Sequence, residues 1–108
     1  MRLIDENLLT EFRERSRCEN CGRWLREPAH PHHVYGRGFG GGTRMDIRIN
    51  LCAVCGPHFG GVGCHALVHA GKIPRSRLLA IVARREGWDV EALEAELFRL
   101  LRTSRKDA

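Results

Sequence analysis

The chain has 108 residues, and 18 lysines and arginines against 13 acidic residues give it a formal net charge of +5 with neutral histidines. This length is typical of one domain with a small apolar core, for which a bound metal ion or a partner would add stability. No stretch approaches the roughly 18 uninterrupted apolar residues of a membrane helix, and the acidic start MRLIDENLLTEF is unlike a secretory signal. We therefore expect a cytoplasmic protein with reduced cysteines and no membrane partner.

The positive charge is carried almost entirely by arginine, because Lys72 and Lys106 are the only lysines. The planar guanidinium group matches pairs of phosphate oxygens, so this composition favours a polyanionic partner such as nucleic acid. A solvated charged surface without such a partner is the alternative interpretation.

Three segments of different character follow one another along the chain. Within residues 1–16, apolar side chains recur at helical spacing and predict an N-terminal helix over residues 3–15. These side chains are Leu3, Ile4, Leu8, Leu9 and Phe12. Residues 17–72 consist of short apolar runs separated by Gly, Pro, Cys and His, which is typical of short strands and metal-binding turns. Residues 73–104 predict a pair of helices, and we expect all three segments to form one α+β domain over residues 1–108.

The two C-terminal helices have recognisable ends. Pro74 suits a first helical turn, and Gly87 stands where a left-handed C-cap would be. Asp89 can cap the second helix, which has acidic residues early and arginines late, as the helix dipole prefers. We interpret this hairpin as cover for the core, with an outer face that could serve a dimer.

Cysteines predict a zinc site. Cys18 and Cys21 are followed by glycine in CENCGR, which is the usual form of a zinc knuckle. Spacing alone would choose Cys52 and Cys55 as the second pair. Alternation along a strand in INLCAVC instead makes Cys52 a buried small side chain and leaves Cys55 to pair with Cys64. The predicted zinc ligands are Cys18, Cys21, Cys55 and Cys64, with Cys52 as the spare thiol.

Histidines predict a second site. His65 and His69 are four residues apart in a helical stretch, so their imidazoles lie on one face and can share a metal ion. Ala66 occupies the position of the glutamate in the HExxH motif, which disfavours a zinc protease. His32 and His33 point to opposite faces of a strand, so one can bind metal while the other stays free as a base.

Taken in order, CENCGR, HPHHVYGRGFGGG, INLCAVC and CHALVHAGK resemble the HNH endonucleases of the His-Me finger (ββα-metal) superfamily, especially small bacteriophage and prophage members with a structural zinc. The resemblance covers residues 18–72, about half of the chain. It implies a small ββα-metal finger with a four-cysteine zinc knuckle site, flanked by the N-terminal helix and the C-terminal helical hairpin. The family pattern of cysteines also agrees with Cys55 and Cys64 as zinc ligands.

The resemblance implies roles for individual residues. His33 would be the general base, and Asn50 would brace the loop between the two strands and so orient the base. His32 and His65 would bind a catalytic divalent ion, with His69 as a third ligand or a phosphate contact. The implied reaction is hydrolysis of DNA phosphodiester bonds to 5′-phosphate and 3′-hydroxyl ends.

The active-site ion and the DNA contacts are less closely defined. Imidazole ligands suit Mn²⁺, Ni²⁺ or Zn²⁺ better than Mg²⁺, and the sequence does not choose among the four. The loop GRGFGGGTR lacks the ending of a P-loop, so we interpret it as a link between strands near DNA, with Arg37 and Arg44 as phosphate contacts. Lys72 is a further predicted DNA contact, and solvated side chains are the alternative.

Two features depart from the family pattern. Cys55 and Cys64 enclose eight residues instead of two, and this insertion includes His58, an alternative zinc ligand. His30 stands where relatives often have aspartate. We interpret His30 as a surface residue, with a supporting contact to a neighbouring histidine as the alternative.

Two other classes of protein share parts of this pattern. A noncatalytic zinc-stapled DNA-binding module, or a zinc-dependent protein-interaction module, would have the same cysteines and basic charge. Neither needs a free His33 or the pairing of His65 with His69. For an endonuclease with one site per chain, cleavage of both strands would favour a homodimer or sequential nicks. A phage DNA-processing protein is another candidate partner.

Overall fold

The computed structural model describes residues 2–36 and 44–107, which form a small α+β fold. The helices are α1 (Glu6–Arg13), α2 (Cys64–His69), α3 (Arg75–Glu86) and α4 (Val90–Asp107). The strands are β1 (Arg2–Leu3), β2 (His30–His33), β3 (Arg44–Met45) and β4 (Leu51–Val54), with one 3-10 turn at Arg48–Asn50. None of the helices in these residues is long and apolar enough to cross a membrane.

An antiparallel pair, β2 with β4, lies at the centre of the fold. His32 is opposite Cys52 and His33 is opposite Leu51. A second, parallel pair joins β1 to β3, with Leu3 opposite Met45. The N-terminal residues therefore run beside the segment that leads into β4.

The N-terminal helix begins later than the sequence predicts. Leu3 belongs to β1, and its carbonyl accepts a hydrogen bond from the Asp46 N–H at 2.7 Å. Asp5 has an extended backbone and accepts from the Leu8 N–H at 3.0 Å, so Asp5 is the N-cap and the helix ends at Arg13. The prediction of helix from residue 3 was wrong because Leu3 fits the helical period, yet its backbone pairs with β3.

The β2–β4 pair is covered on both faces. Leu51 and Ala53 face α1, where they pack with Leu9 and Phe12. Cys52 and Val54 belong to the larger core on the other face, to which α3 and α4 contribute mainly leucines. The predicted alternation is thus confirmed from Leu51 to Val54, whereas Cys55 lies in the same core as Cys52 and not with Leu51 and Ala53.

The C-terminal helices begin and end close to the predicted positions, except that α4 continues to Asp107, beyond the predicted end at residue 104. Helix α3 starts directly after Pro74, and Gly87 ends it in the left-handed conformation with a φ of 75°. Asp89 accepts from the Ala92 N–H at 3.1 Å, as expected of a residue that caps α4.

Arg85 joins α3 to the cysteine-rich part of the fold. Its guanidinium donates to both carboxylate oxygens of Glu19 at 2.8 and 2.9 Å, to the Leu51 carbonyl at 3.0 Å and to the Arg48 carbonyl at 2.7 Å. The Glu19 carboxylate also accepts from the Ala53 N–H at 2.8 Å. One arginine therefore holds the knuckle, β4 and α3 together.

Candidate functional site

Four cysteines from three parts of the chain converge. Cys18 and Cys21 belong to the knuckle, Cys55 follows β4, and Cys64 is the first residue of α2. Their sulfur atoms all lie within 4.8 Å of one another, and Cys21 Sγ is 3.9 Å from Cys55 Sγ. Four thiolates around a tetrahedral zinc ion, with Zn–S bonds of about 2.3 Å, lie roughly 3.8 Å apart. This group could therefore hold a zinc ion.

Hydrogen-bond donors surround the sulfur atoms. Cys18 Sγ accepts from the Cys21 N–H at 3.4 Å, and Cys64 Sγ accepts from the Asn20 amide at 3.3 Å. Burial alone would raise the pKa of Cys18, but backbone N–H groups of Cys21, Cys55 and Asn20 outweigh it and lower that pKa to about 7. Burial raises the pKa of Cys64 to about 12, so Cys64 needs a nearby cation to become a thiolate at neutral pH.

A tight glycine contact brings Cys55 and Cys64 together across the eight intervening residues. Gly63 has a φ of 89°, and a Cβ added there would lie only 2.2 Å from the Gly56 carbonyl oxygen. The Cys64 N–H also donates to Cys55 Sγ at 3.2 Å. The insertion that departs from the family spacing is thus closed at its base, because only a glycine fits at position 63.

The two alternative zinc ligands lie outside this group. Cys52 is fully buried in β4, and burial raises its pKa to about 12. His58 lies in the turn before α2, where its Nδ1 is 3.1 Å from the Phe59 carbonyl. The four cysteines that lie close together are thus the predicted set, which includes Cys55 and Cys64 and leaves out Cys52.

Three histidines form a second group. His32 lies on β2, whereas His65 and His69 lie one turn apart on α2, and one nitrogen of each is within 4.8 Å of the others. The Nε2 atoms of His65 and His69 are 3.0 Å apart. Imidazole nitrogens that bind one ion at about 2.0–2.1 Å have similar separations, so this group could hold a metal ion. No carboxylate of the described residues belongs to it.

Burial lowers the pKa of two of these imidazoles. It lowers the pKa of His32 to about 4, with a further contribution from the neighbouring charges of His65 and His69. Burial, followed by His69 and His30, also lowers the pKa of His65. A neutral imidazole has a free lone pair, so His32 and His65 are ready to bind metal at neutral pH.

His33 has different partners from His32. Its Nε2 lies 2.6 Å from Asp46 Oδ1, and the Asp46 carboxylate also accepts from Arg44 at 2.9 and 3.0 Å and from the Asp5 N–H at 2.9 Å. Burial would raise the pKa of Asp46, but hydrogen bonds from Arg44, His33 and Asp5 lower it to about 2. Because an ionised carboxylate only accepts, His33 donates from Nε2, and in the neutral imidazole the lone pair is then on Nδ1.

Asn50 joins the two segments that flank residues 36–44. Its side chain is fully buried, and its Oδ1 accepts from the Tyr35 N–H at 2.9 Å. Its Nδ2 donates to the Tyr35 carbonyl at 3.2 Å and to the Met45 carbonyl at 3.0 Å. Asn50 therefore links Tyr35, just after β2, to Met45 of β3, whereas its effect on a catalytic base stays a prediction.

A cleft of about 450 Å³ opens between α1 and β2. His33 and His65 line it together with His30, while Leu9 and Arg13 of α1 form part of the opposite wall. His33 and His65, one of the three histidines that could hold a metal ion, thus face the same open space.

The predicted DNA contacts differ in their surroundings. Arg37 lies outside the described residues. Arg44 holds the Asp46 carboxylate with two donor atoms and is also 3.7 Å from Glu6, so its guanidinium is engaged within the protein. This geometry gives Arg44 a structural role, and its contact with phosphate stays a prediction. Lys72 is exposed just after α2.

Two site residues were not identified from sequence. Asp46 is the one acidic residue in the basic segment TRMDIRIN, and this isolated charge is a signal that could have identified it. Its contact with His33 joins residues 13 positions apart, so no local pattern indicates the pairing. The interpretation of His30 as a surface residue was wrong. His30 is half-buried, and its Nδ1 lies 2.8 Å from Nδ1 of His65, a residue of α2 rather than one of its strand neighbours.

Together, the fold and the site define a small α+β protein with one cysteine group and one histidine group that could each hold a metal ion. Comparisons with protein-family models, curated proteins and solved structures find no match to this chain.

Proposed function

We propose that the protein is a metal-dependent DNA endonuclease of the HNH type, in which β2, β4 and α2 form the ββα-metal finger. One observation carries the proposal. His33, with its Nε2 held by Asp46, lines the same cleft as His65 of the metal-binding histidine group. A base beside a metal site is what hydrolysis of a phosphodiester requires.

His33 acts as the general base in the proposed reaction. Its Nδ1 takes a proton from a water molecule, and the oxygen of that water forms the new bond to phosphorus. The bond from phosphorus to the 3′ oxygen breaks, and the leaving oxygen takes a proton from solvent. Asp46 keeps His33 in the required tautomer and stabilises the imidazolium that forms. The products are 5′-phosphate and 3′-hydroxyl ends.

His32, His65 and His69 would hold the divalent ion. Such an ion, when bound, stabilises the negative charge on the phosphorus oxygens and on the departing 3′ oxygen. Because all three ligands are imidazoles, Mn²⁺, Ni²⁺ and Zn²⁺ suit the group better than Mg²⁺.

Other groups support the same assignment. The net charge of +5 favours a polyanionic substrate such as DNA, and Arg13 at the cleft is a candidate phosphate contact. Asn50 would keep the end of β2, and hence His33, in place through its hydrogen bonds to Tyr35. Zinc on the four cysteines would fix the start of α2 relative to β4.

Nicking of supercoiled plasmid tests the proposal. The zinc-loaded parent is incubated with plasmid and Mn²⁺, Ni²⁺, Zn²⁺ or Mg²⁺, beside His33→Ala and the matched control His58→Ala. We expect nicking by the parent, a loss of about 100-fold or more for His33→Ala, and no change for His58→Ala, which lies outside both groups.

Absence of nicking by the parent with all four ions, or equal nicking by His33→Ala, would contradict the proposal. Retention of plasmid in a gel-shift assay without nicking would instead support a noncatalytic zinc-stapled DNA-binding module.

A further inference from the structure

The imidazole of His30 lies against His65. The two Nδ1 atoms are 2.8 Å apart, and the rings meet edge to face with centroids 4.9 Å apart and an interplanar angle of 87°. The other nitrogen of His65, Nε2, is next to His69 at 3.0 Å. His65 therefore contacts His30 through one nitrogen and the rest of the metal-binding group through the other.

Backbone structure fixes the position of His30. It is opposite Val54 in the β2–β4 pair, and its ring extends over Gly56, just beyond the end of β4. A Cβ added at Gly56 would lie 2.5 Å from both Cε1 and Nε2 of His30. Gly56 is not among the described glycines with positive φ, so what the glycine provides here is room for the imidazole.

The contact between His30 and His65 has the length of a hydrogen bond with one shared proton. His30 is not part of the group of side chains that could share one ion with His32, His65 and His69. If Nε2 of His65 is to bind metal, its lone pair must be free, so the proton of neutral His65 is on Nδ1. Nδ1 of His30 is then the acceptor.

We propose that His30 is a positioning residue for the metal site. It holds His65 as the Nδ1–H tautomer and fixes the plane of the ring, so that Nε2 faces His32 and His69. This inference rests on the metal site of the proposed function, and it concerns the affinity of that site for metal rather than hydrolysis.

An imidazole acceptor differs from the usual partner of a metal-bound histidine, which is a carboxylate, a backbone carbonyl or water. An imidazole that accepts this hydrogen bond adds no negative charge to the site, whereas a carboxylate would. Because the metal-binding group itself contains no carboxylate, a divalent ion there would keep its full positive charge for an anionic phosphate.

Isothermal titration with Ni²⁺ tests the role of His30 without an activity assay. The protein is first loaded with one structural zinc per chain, and the parent is compared with His30→Ala, His30→Asn and Gly56→Ala. Asn can place its Oδ1 close to where the imidazole Nδ1 lies, so it keeps the acceptor. Gly56→Ala displaces the ring of His30 without changing its chemistry. Gly61→Ala is the matched control, because its added methyl group would lie 3.0 Å from the ring of a different histidine, His58.

We expect the affinity for Ni²⁺ to fall about 10- to 100-fold in His30→Ala and in Gly56→Ala. It should stay close to that of the parent in His30→Asn and in Gly61→Ala. Zinc content and circular dichroism show whether each variant is folded, and His65→Ala shows which Ni²⁺ binding belongs to this site.

Unchanged affinity in His30→Ala would overturn the inference, and so would a His30→Asn variant as weak as His30→Ala. Two Ni²⁺ ions per parent chain, one of them lost in His30→Ala, would make His30 a ligand and would also overturn it. If the parent shows no Ni²⁺ binding that is lost in His65→Ala, both this inference and the proposed metal site are refuted. A parent that shows the expected changes in Ni²⁺ affinity but never nicks DNA refutes the nuclease alone.

Discussion

Asp46→Asn is the most direct test of how His33 is oriented. Each oxygen of the Asp46 carboxylate accepts hydrogen bonds from two donors. Oδ1 faces His33 Nε2 and Arg44 Nε, whereas Oδ2 faces Arg44 Nη2 and the Asp5 N–H. An asparagine amide must therefore place its NH₂ group against two donors, whichever way it is turned. If that group faces His33, it donates to Nε2 and moves the proton of His33 to Nδ1, where the base needs its lone pair.

The structure sets the size of two effects. The pKa of Asp46 is about 2 instead of 3.8, because hydrogen bonds from Arg44, His33 and Asp5 outweigh the opposing effect of burial. At about 1.4 kcal/mol per pKa unit, this carboxylate stabilises the fold by roughly 2 kcal/mol at neutral pH. Because the folded-state pKa is the lower one, this contribution is complete above the unfolded-state pKa and is lost as the pH falls through about 2. For catalysis, the wrong tautomer of the base costs about 10²- to 10⁴-fold in kcat.

Two measurements check these values. Urea unfolding of the zinc-loaded protein at neutral pH should show a loss of roughly 2 kcal/mol in Asp46→Asn, and plasmid nicking by the folded variant should be slower by at least about 100-fold. Asp89→Asn is the matched control, since the same chemical change is made at the N-cap of α4, where asparagine is as good as aspartate. Nicking at the parental rate by folded Asp46→Asn would refute the assigned role of Asp46.

Three further predictions concern the scaffold around the site. Metal analysis should find no zinc in Cys64→Ser and the parental zinc content in Cys52→Ser, because the Cys52 thiol is buried in β4 outside the cysteine group. The opposite result would revise the ligand set. Asn50→Ala removes three buried hydrogen bonds to the backbone and should lower the free energy of unfolding by roughly 2–4 kcal/mol in urea, so a loss below about 1 kcal/mol would contradict the bracing role. Gly63→Ala should weaken zinc binding strongly, because its methyl group would lie 2.2 Å from a backbone carbonyl, whereas Gly71→Ala has a similar φ of 76° but open space and should bind zinc normally.

The sequence predicted best where ligands are close together along the chain. The spacing in CENCGR and the helical spacing of His65 and His69 each place two side chains together through local geometry alone. For these two pairs the periodicity or spacing of a single element decides which side chains meet. The choice of Cys55 over Cys52 agrees with the cysteine group, although both thiols lie in the same core and not on the opposite faces that strand alternation predicted.

Contacts between elements were not predictable in the same way. The partner of His33 is Asp46, held by the N-terminal residues through the Asp5 N–H, and the partner of His30 is His65, 35 positions away. Neither pairing follows from a helical or strand period, because each depends on how β2 packs against another segment. For the same reason Leu3 matched the helical pattern of α1 and yet pairs with β3.

The two candidate metal sites are coupled through α2. Cys64 belongs to the cysteine group and His65 to the histidine group, and the His65 N–H donates to the Cys55 carbonyl at 3.0 Å. Helix α2 has only six residues, too few to be stable in water without tertiary support. Zinc on the cysteines would therefore hold the first turn of α2 and, with it, the direction of His65.

Removal of zinc should consequently abolish high-affinity Ni²⁺ binding at the histidines, although none of those histidines is a zinc ligand in this assignment. The check is titration of zinc-depleted protein with Ni²⁺ in the Cys18→Ser, Cys64→Ser double variant, which prevents Ni²⁺ from occupying the cysteines. Parental Ni²⁺ affinity in that variant would show that α2 keeps its place without zinc, and the coupling of the two sites would be refuted.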